Sequence, residues 1–246
     1  MALRVGIAGI TGRMGALLAE EVAAAGLALA GGTSRASPDI AGLAAACDVV
    51  IDFTRAATVE RHAAALAAAG TAWVLGSSGL ADADEASVAA AASRIPVVYA
   101  ANFAPGANLV LALAERLAAA LPADAYDAEI LEMHHRQKVD APSGTAMGLG
   151  RAVARGRGVA LADVMQGGRD GHTGPRPPGA IGFAALRGGQ VVGEHTLLFA
   201  GADEHIALSH RAFDRRAFAR GAVLAARWVA GRPAGLHGMM DVLGMR

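Results

Sequence analysis

The 246-residue chain carries 22 basic and 22 acidic side chains and a formal net charge of zero, so bulk electrostatics argue against nucleic acid or an anionic membrane as its main partner. Its one cysteine, Cys47, excludes an internal disulfide framework and a cysteine-built zinc cluster, and a reducing cytoplasm is the expected compartment. Residues 95–114 are uncharged and have the length of a membrane span, but Pro96, Asn102, Pro105, Gly106 and Asn108 interrupt them, and no signal peptide is expected ahead of Leu3.

In chain order, residues 3–8 form a short apolar strand that runs into Gly9-Ile10-Thr11-Gly12-Arg13-Met14-Gly15. Met14, Leu17, Leu18, Val22 and Ala25 then recur at helical spacing until Gly26. Strand, glycine turn and helix in that order let the backbone approach a pyrophosphate and the helix pack close, which is the physical content of a dinucleotide fingerprint. The spacing Gly6-x-x-Gly9-x-x-Gly12-x-x-Gly15 is a relative of the strict pattern. A second strand, 27–33, is expected to end at the adenosine ribose. Folds that prefer NAD usually place a carboxylate there, whereas this chain has Thr33-Ser34-Arg35, with Asp39 displaced beyond Pro38. An arginine can accept a ribose 2′-phosphate, so the reading favours NADPH and keeps NADH as the second cofactor.

Further strands at 48–54, 71–76 and 95–100, separated by a helix at 59–69 and an alanine-rich one, end in Asp52-Phe53-Thr54, Gly76-Ser77-Ser78-Gly79 and Ala101-Asn102-Phe103. In a parallel sheet such carboxyl ends line the cofactor crevice, making Phe53, Thr54, Gly76, Ser77 and Asn102 candidate contacts. Cys47 reads as packing rather than nucleophile. The pattern changes near residue 104. A helix at 108–121 precedes a strand at 126–133, and a Gly/Pro-rich loop at 167–179 reads equally as a substrate loop or a surface excursion. Strands at 181–187 and 190–199 flank Gly188-Gly189, a hairpin signal, and another follows at 204–210. Such an antiparallel sheet needs cover, from a helix or from another subunit. A helix at 213–229 and an apolar tail at 235–244 are expected to return to the first domain. The expected fold is α/β: a Rossmann-like dinucleotide-binding domain (1–104 with 214–246), and an α+β domain for substrate binding and oligomerisation (105–213) containing a mixed, largely antiparallel sheet.

The densest chemistry lies in Glu132-x-His134-His135-x-x-Lys138-x-Asp140-Ala141-Pro142-Ser143-Gly144-Thr145-Ala146. Lys138 is the only lysine of the chain. Arginine stays charged and binds as a planar fork, whereas an ammonium is a compact charge that can give up a proton. Pro142 biases Ala141 away from helical angles, and Ser143 is a preferred N-cap for a helix over 145–154. That start offers unpaired N–H groups to an anion, and with Lys138 and two histidines alongside, a carboxylate or phosphate is the natural guest. Adjacent strand residues face opposite sides, so His134 and His135 can reach one ligand only if the strand ends or twists there. The histidines lack the i, i+4 helix spacing of a zinc-hydrolase motif, and no metal is expected.

At these residues the chain resembles the dihydrodipicolinate reductases, now described as 4-hydroxy-tetrahydrodipicolinate reductases, over essentially its whole length. Gly9-x-x-Gly12-Arg13-Met14-Gly15, Asp52-Phe53-Thr54, Gly76-x-x-Gly79, Ala101-Asn102-Phe103, the stretch from Glu132 to Ala146, Arg187-Gly188-Gly189 and Asp241-Val242-Leu243-Gly244 carry the likeness. The resemblance implies NAD(P)H-dependent reduction of a small dicarboxylate in lysine and diaminopimelate biosynthesis by a homotetramer assembled through its second sheet. By the same resemblance Gly9, Ile10, Thr11, Gly12, Arg13 and Met14 hold the pyrophosphate and Arg35 meets the ribose phosphate. Gly76, Ser77, Ser78, Ala100, Ala101, Asn102 and Phe103 line the nicotinamide side. His134 exchanges the substrate proton, Lys138 donates one, and His135, Ser143, Gly144 and Thr145 grip a carboxylate. Ser34 stands where the family has an acidic ribose residue, and the segment from Arg35 to Cys47 is short for the family. Two other readings compete. A non-catalytic nucleotide sensor would have no use for the histidine-lysine cluster, and a semialdehyde dehydrogenase needs a nucleophilic cysteine better placed than Cys47.

Overall fold

A run such as Val49-Val50-Ile51 sends successive side chains to opposite faces of its sheet, and all three are fully buried, so both faces need cover. The computed structural model describes residues 2–245 and places this run inside a parallel sheet. In chain order the elements are β1 (Arg4–Ala8), α1 (Arg13–Ala24), β2 (Ala28–Gly32), α2 (Ile40–Ala46), β3 (Val49–Asp52), α3 (Val59–Ala69), β4 (Ala72–Leu75), α4 (Asp82–Ala92) and β5 (Pro96–Tyr99). Next come α5 (Pro105–Ala120), β6 (Asp127–His134), α6 (Gly144–Gly156), α7 (Leu161–Val164), β7 (Met165–Gly167), β8 (Ile181–Arg187), β9 (Gly193–Ala200) and β10 (His205–Ala212). The chain closes with α8 (Arg216–Val229), β11 (Gly235–His237) and α9 (Met239–Val242). The segment Gly106–Asp214 is one compact unit, and the described residues on either side of it form another.

The flanking segments build a six-stranded sheet in the order β11-β5-β4-β3-β1-β2, with parallel ladders throughout. Leu18 and Val22 of α1 and Ala222 and Val229 of α8 pack with Val49, Ile51 and Val74 on one face. Leu43, Leu66 and Val88, from α2, α3 and α4, pack with Val50, Trp73 and Val97 on the other. This is the doubly wound Rossmann-like arrangement, buried on both sides. Gly70, at φ +71°, ends α3 in the left-handed conformation that glycine adopts without strain, its N–H bonded to Leu66 O. Helix α2 has no counterpart among the elements predicted from sequence. Its N-cap is Asp39, whose side chain accepts from Gly42 N at 2.9 Å, so the Pro38-Asp39 pair opens a helix.

The other unit holds a mixed five-stranded sheet, β10-β9-β6-β8-β7. The expected hairpin around Gly188-Gly189 does not form, and the sheet is mixed, with the larger share of its pairing antiparallel. Strand β6 lies between β8 and β9, with Leu131 opposite Ala184 in a parallel ladder and opposite Thr196 in an antiparallel one. β7 is parallel to β8, and β10 is antiparallel to β9. The two-glycine signal marks a turn but not its width. Residues 188–192, at about 3.3 Å each, can span the roughly 9.6 Å across an intervening strand. Gly188 N–H donates to His134 O, and His135 N–H to Val191 O, which ties the turn to the end of β6.

Ile130, Phe183, Leu197 and Phe199 meet Ala114 and Ala118 of α5 and Leu149 and Val153 of α6. The two helices approach so closely that a Cβ on Gly156 would collide with Glu115 O, and Arg155 bridges to Glu115 at 2.7 Å. On the opposite face Leu131 and Leu186 are 44% and 49% exposed. The 167–179 loop is pinned late in its course, because Arg176 bonds Asp127 and Glu129, each at 2.7 Å, at the start of β6. Among the described residues no helix is long and apolar enough to cross a membrane.

Candidate active site

The glycine turn follows from steric need. Gly9 sits at φ +77°, a conformation that side chains disfavour. Its N–H donates to Thr33 Oγ1 at 3.2 Å and its carbonyl accepts from Gly12 N at 2.9 Å, while Ile10 N–H donates to Thr33 O at 2.9 Å. A Cβ on Gly15 would strike the carbonyl of Gly9 and the backbone of Ile10, so only glycine lets α1 start against the turn. Gly12 is the N-cap and brings no side-chain cap, which leaves the first-turn N–H groups facing outward as anion donors. Thr11, Gly12 and Arg13 are exposed, and Met14 is half-buried against the core. Arg35 is exposed beyond β2, and its guanidinium has no hydrogen bond or ion pair among the described residues. Asp39 is occupied as the α2 cap and cannot substitute for a ribose carboxylate.

At the carboxyl ends of the neighbouring strands, Ser77 is buried and its Oγ lacks a partner among the described residues, while Ser78 is exposed. Gly76 has no space for a Cβ beneath the Phe53 ring, which leans on Phe103 at 5.3 Å. Asn102 Oδ1 accepts from Ala104 N at 2.8 Å. Ala100 is half-buried, Ala101 exposed, and buried Phe103 presses its carbonyl against Gly221 of α8. Buried Asp52 accepts from Thr54 N at 3.0 Å and bonds His62 Nδ1 at 2.7 Å, which stiffens the Phe53-Thr54 turn. The open glycine turn and the buried Ser77 hydroxyl, unpartnered among the described residues, fit a pyridine dinucleotide. Cys47 fits no catalytic role: burial pushes its thiol up to about 11, so it carries no thiolate near neutrality.

In the other unit, the buried row of β6 changes character along the strand. Ala128 and Ile130 lie in the core, and the next two residues of the same row are Glu132 and His134. Glu132 is 1% exposed. Its carboxylate accepts both Nη atoms of Arg187 at 2.8 Å, bonds His134 Nδ1 at 2.6 Å and accepts Ser143 N–H at 3.0 Å. One carboxylate thus joins the ends of β6 and β8 to the start of α6. Burial alone would raise its pKa, but the bonds from Arg187, His134 and Ser143 outweigh it and hold the group below the usual range. An ionised carboxylate is acceptor only, so His134 keeps its proton on Nδ1. Burial lowers the His134 pKa against the opposing pull of Glu132.

Strand β6 ends at His134, which frees His135 from strict alternation. His135 is half-buried, and its Nδ1 has no partner among the described residues. Lys138 N–H closes a turn on His135 O, and its Nζ holds both oxygens of exposed Asp140 at 2.7 and 2.8 Å. Ser143 caps α6, its Oγ accepting from Ala146 N at 3.2 Å. Gly144 is exposed with open space where a side chain would stand, and Thr145 follows half-buried. Four polar residues here were given no role by sequence reasoning: Glu132, Arg187, His195 and His210. His195 Nε2 lies 2.9 Å from Ser143 Oγ, and its ring stands edge-on to His134 at 5.1 Å and beside His210 at 6.5 Å. Burial first, then the neighbouring His134, push its pKa down to about 4. The signal was periodicity: Glu132 falls in phase with Ile130, and His195 with Leu197 and Phe199, each a polar group at a core position. Among the described residues no group of three or more His, Cys, Asp or Glu side chains could hold a metal ion.

Residues 3–103 match the family model described as dihydrodipicolinate reductase, N-terminus, and residues 106–243 the one described as dihydrodipicolinate reductase, C-terminus. The 4-hydroxy-tetrahydrodipicolinate reductase of Granulibacter bethesdensis is 68% identical, over 99% of this chain and 98% of that protein. That of Acidiphilium cryptum is 67% identical over the same shares. Among solved structures, the dipicolinate-bound dihydrodipicolinate reductase of Paenisporosarcina sp. TG-14 matches with a TM-score of 0.74 at 23% identity, covering 98% of this chain and 99% of that one. This chain belongs to the dihydrodipicolinate reductase family.

Proposed function

We propose that this chain reduces 4-hydroxy-tetrahydrodipicolinate to tetrahydrodipicolinate with a pyridine nucleotide, a step of lysine and diaminopimelate biosynthesis. The observation that carries the reading is the buried Glu132 carboxylate, which gathers His134, Arg187 and the capped start of α6 beside the only lysine of the chain. Loss of the ring 4-hydroxyl as water leaves a carbon–carbon double bond conjugated to the ring imine, and NAD(P)H, when bound, would supply a hydride to the far carbon of that bond while one proton is taken up at the near one. The turn from Gly9 to Met14 holds the pyrophosphate, and Arg35, exposed next to the Ser34 that replaces the ribose carboxylate, makes NADPH the preferred form over NADH. Gly76, Ser77, Ser78 and the stretch from Ala100 to Phe103 flank the nicotinamide.

The chain's own acid-base groups divide the remaining work. His134, neutral near pH 7 with its proton directed at Glu132, presents Nε2 as an acceptor. Lys138 is therefore the proton donor to the atoms on which negative character develops. One substrate carboxylate sits at the start of α6, held by Ser143, Gly144 and Thr145 with His135. Asp140, exposed, holds the Lys138 ammonium until the anionic substrate displaces it. We assign residues 1–104 with 214–246 to nucleotide binding and 105–213 to substrate binding and assembly. The open sheet face bearing Leu131 and Leu186 closes a homotetramer, and the cytoplasm is the working compartment. The test is NADPH oxidation with freshly condensed pyruvate and aspartate semialdehyde. Oxidation that requires both precursors supports the reading, and none with fresh substrate at saturating NADPH and NADH contradicts it.

A further inference from the structure

We infer that His195 is a positioning residue that holds the Ser143 hydroxyl as a hydrogen-bond donor to a substrate carboxylate at the start of α6, an assignment that rests on the reductase reading above. A serine hydroxyl has one proton and two lone pairs. Ser143 Oγ already accepts from Ala146 N at 3.2 Å and lies 2.9 Å from His195 Nε2, so the imidazole tautomer decides where its proton points. If Nε2 were bare, the hydroxyl would donate inward to His195 and turn only oxygen lone pairs toward an anion, which repels a carboxylate. If Nε2 carries the proton, Oγ accepts twice and its own proton is directed at the guest.

The surroundings favour the second state. His195 is 5% exposed and its Nδ1 has no partner among the described residues. A proton there would be an orphaned buried donor, a rarer condition than an unsatisfied lone pair. The groups facing the ring are Glu132, opposite it in the β6–β9 ladder, His134 edge-on, and His210, opposite it in the β9–β10 ladder. Glu132 is already committed to Arg187, His134 and Ser143 N–H. The low pKa keeps the ring neutral and single-protonated near pH 7. Ser143 N–H is also turned inward to Glu132, so the hydroxyl is the one Ser143 group left to face an anion, beside the open space at Gly144.

The test uses the whole protein and dipicolinate as probe, with binding followed by calorimetry. His195→Leu removes the donor, and the account expects about tenfold weaker dipicolinate binding, the usual scale for one hydrogen bond to a charged group. Substrate KM should rise in parallel, with kcat changing less and the nucleotide KM unchanged. Ser143→Ala should weaken binding similarly, and the double variant no more than Ser143→Ala alone. Fully additive losses, or wild-type affinity in His195→Leu, overturn the assignment. Should that variant not fold, ring 15N shifts of the wild-type protein near pH 7 decide: an Nε2–H tautomer at His195 supports the proposal, and an Nδ1–H tautomer overturns it. A wild-type protein that neither binds dipicolinate nor turns over substrate would overturn the reductase reading, and this assignment with it.

Discussion

Two cations show how much depends on a single side chain. Lys138 is held by Asp140 at 2.7 Å, and its ammonium can donate a proton where a guanidinium cannot near neutrality. If Lys138 only neutralised a carboxylate, Lys138→Arg would keep most activity. We expect instead a modest change in substrate KM and a kcat lower by on the order of 10², the usual scale for losing a positioned acid. Steady-state kinetics decide between them, and near-normal turnover would reduce Lys138 to a binding residue. Arg35, exposed and without a partner among the described residues, is the residue proposed to meet a ribose phosphate. Arg35→Ala should raise the KM for NADPH on the order of tenfold and leave that for NADH nearly unchanged, because a charge-assisted phosphate contact exists only with the former. Equal changes for both nucleotides would remove Arg35 from the ribose site.

At the scale of elements, β6, β9 and α6 share one polar cluster set into an apolar face, and this makes the fold acid-sensitive. His195 titrates at about 4 in the folded chain against an ordinary 6.5, so between those values the unfolded chain binds the extra proton. Stability therefore falls as pH drops through that window, by roughly 3 kcal/mol at most from this group. Burial pushes His134 and His210 in the same direction. Glu132, held low, withdraws its contribution only at more acid pH. Urea midpoints measured from pH 7 to pH 5 should decline, and less steeply in His195→Leu; a midpoint independent of pH would contradict the buried neutral cluster. The same elements show what sequence alone reveals. Local periodicity located β6 and the Ser143 cap, because alternation and capping are written in neighbouring residues. It could not reveal that β6 separates β8 from β9, since strand order depends on long-range pairing and the Gly188-Gly189 turn suits a narrow or a wide connection. Helix α2 was missed because Pro38-Asp39 serves a loop or an N-cap equally well. Glu132 lay within the quoted motif, yet its role depends on Arg187, 55 residues away in sequence.

For the whole molecule, a sheet with one face covered by α5 and α6 and Leu131 and Leu186 in the open on the other points to assembly. Light scattering at micromolar concentration should give a tetramer, and Leu131→Asp should shift it to smaller species; a monomeric wild-type protein would contradict assembly through this face. The central claim is that this chain reduces its substrate by transferring hydrogen from the nucleotide to the ring. The most direct measurement follows NADPH deuterated at both C4 positions, with substrate freshly made from pyruvate and aspartate semialdehyde, and reads the tetrahydrodipicolinate by mass spectrometry. One deuterium in the product for each nucleotide oxidised is the predicted result. Nucleotide oxidation that leaves the ring product unlabelled, or no oxidation at all, would contradict it.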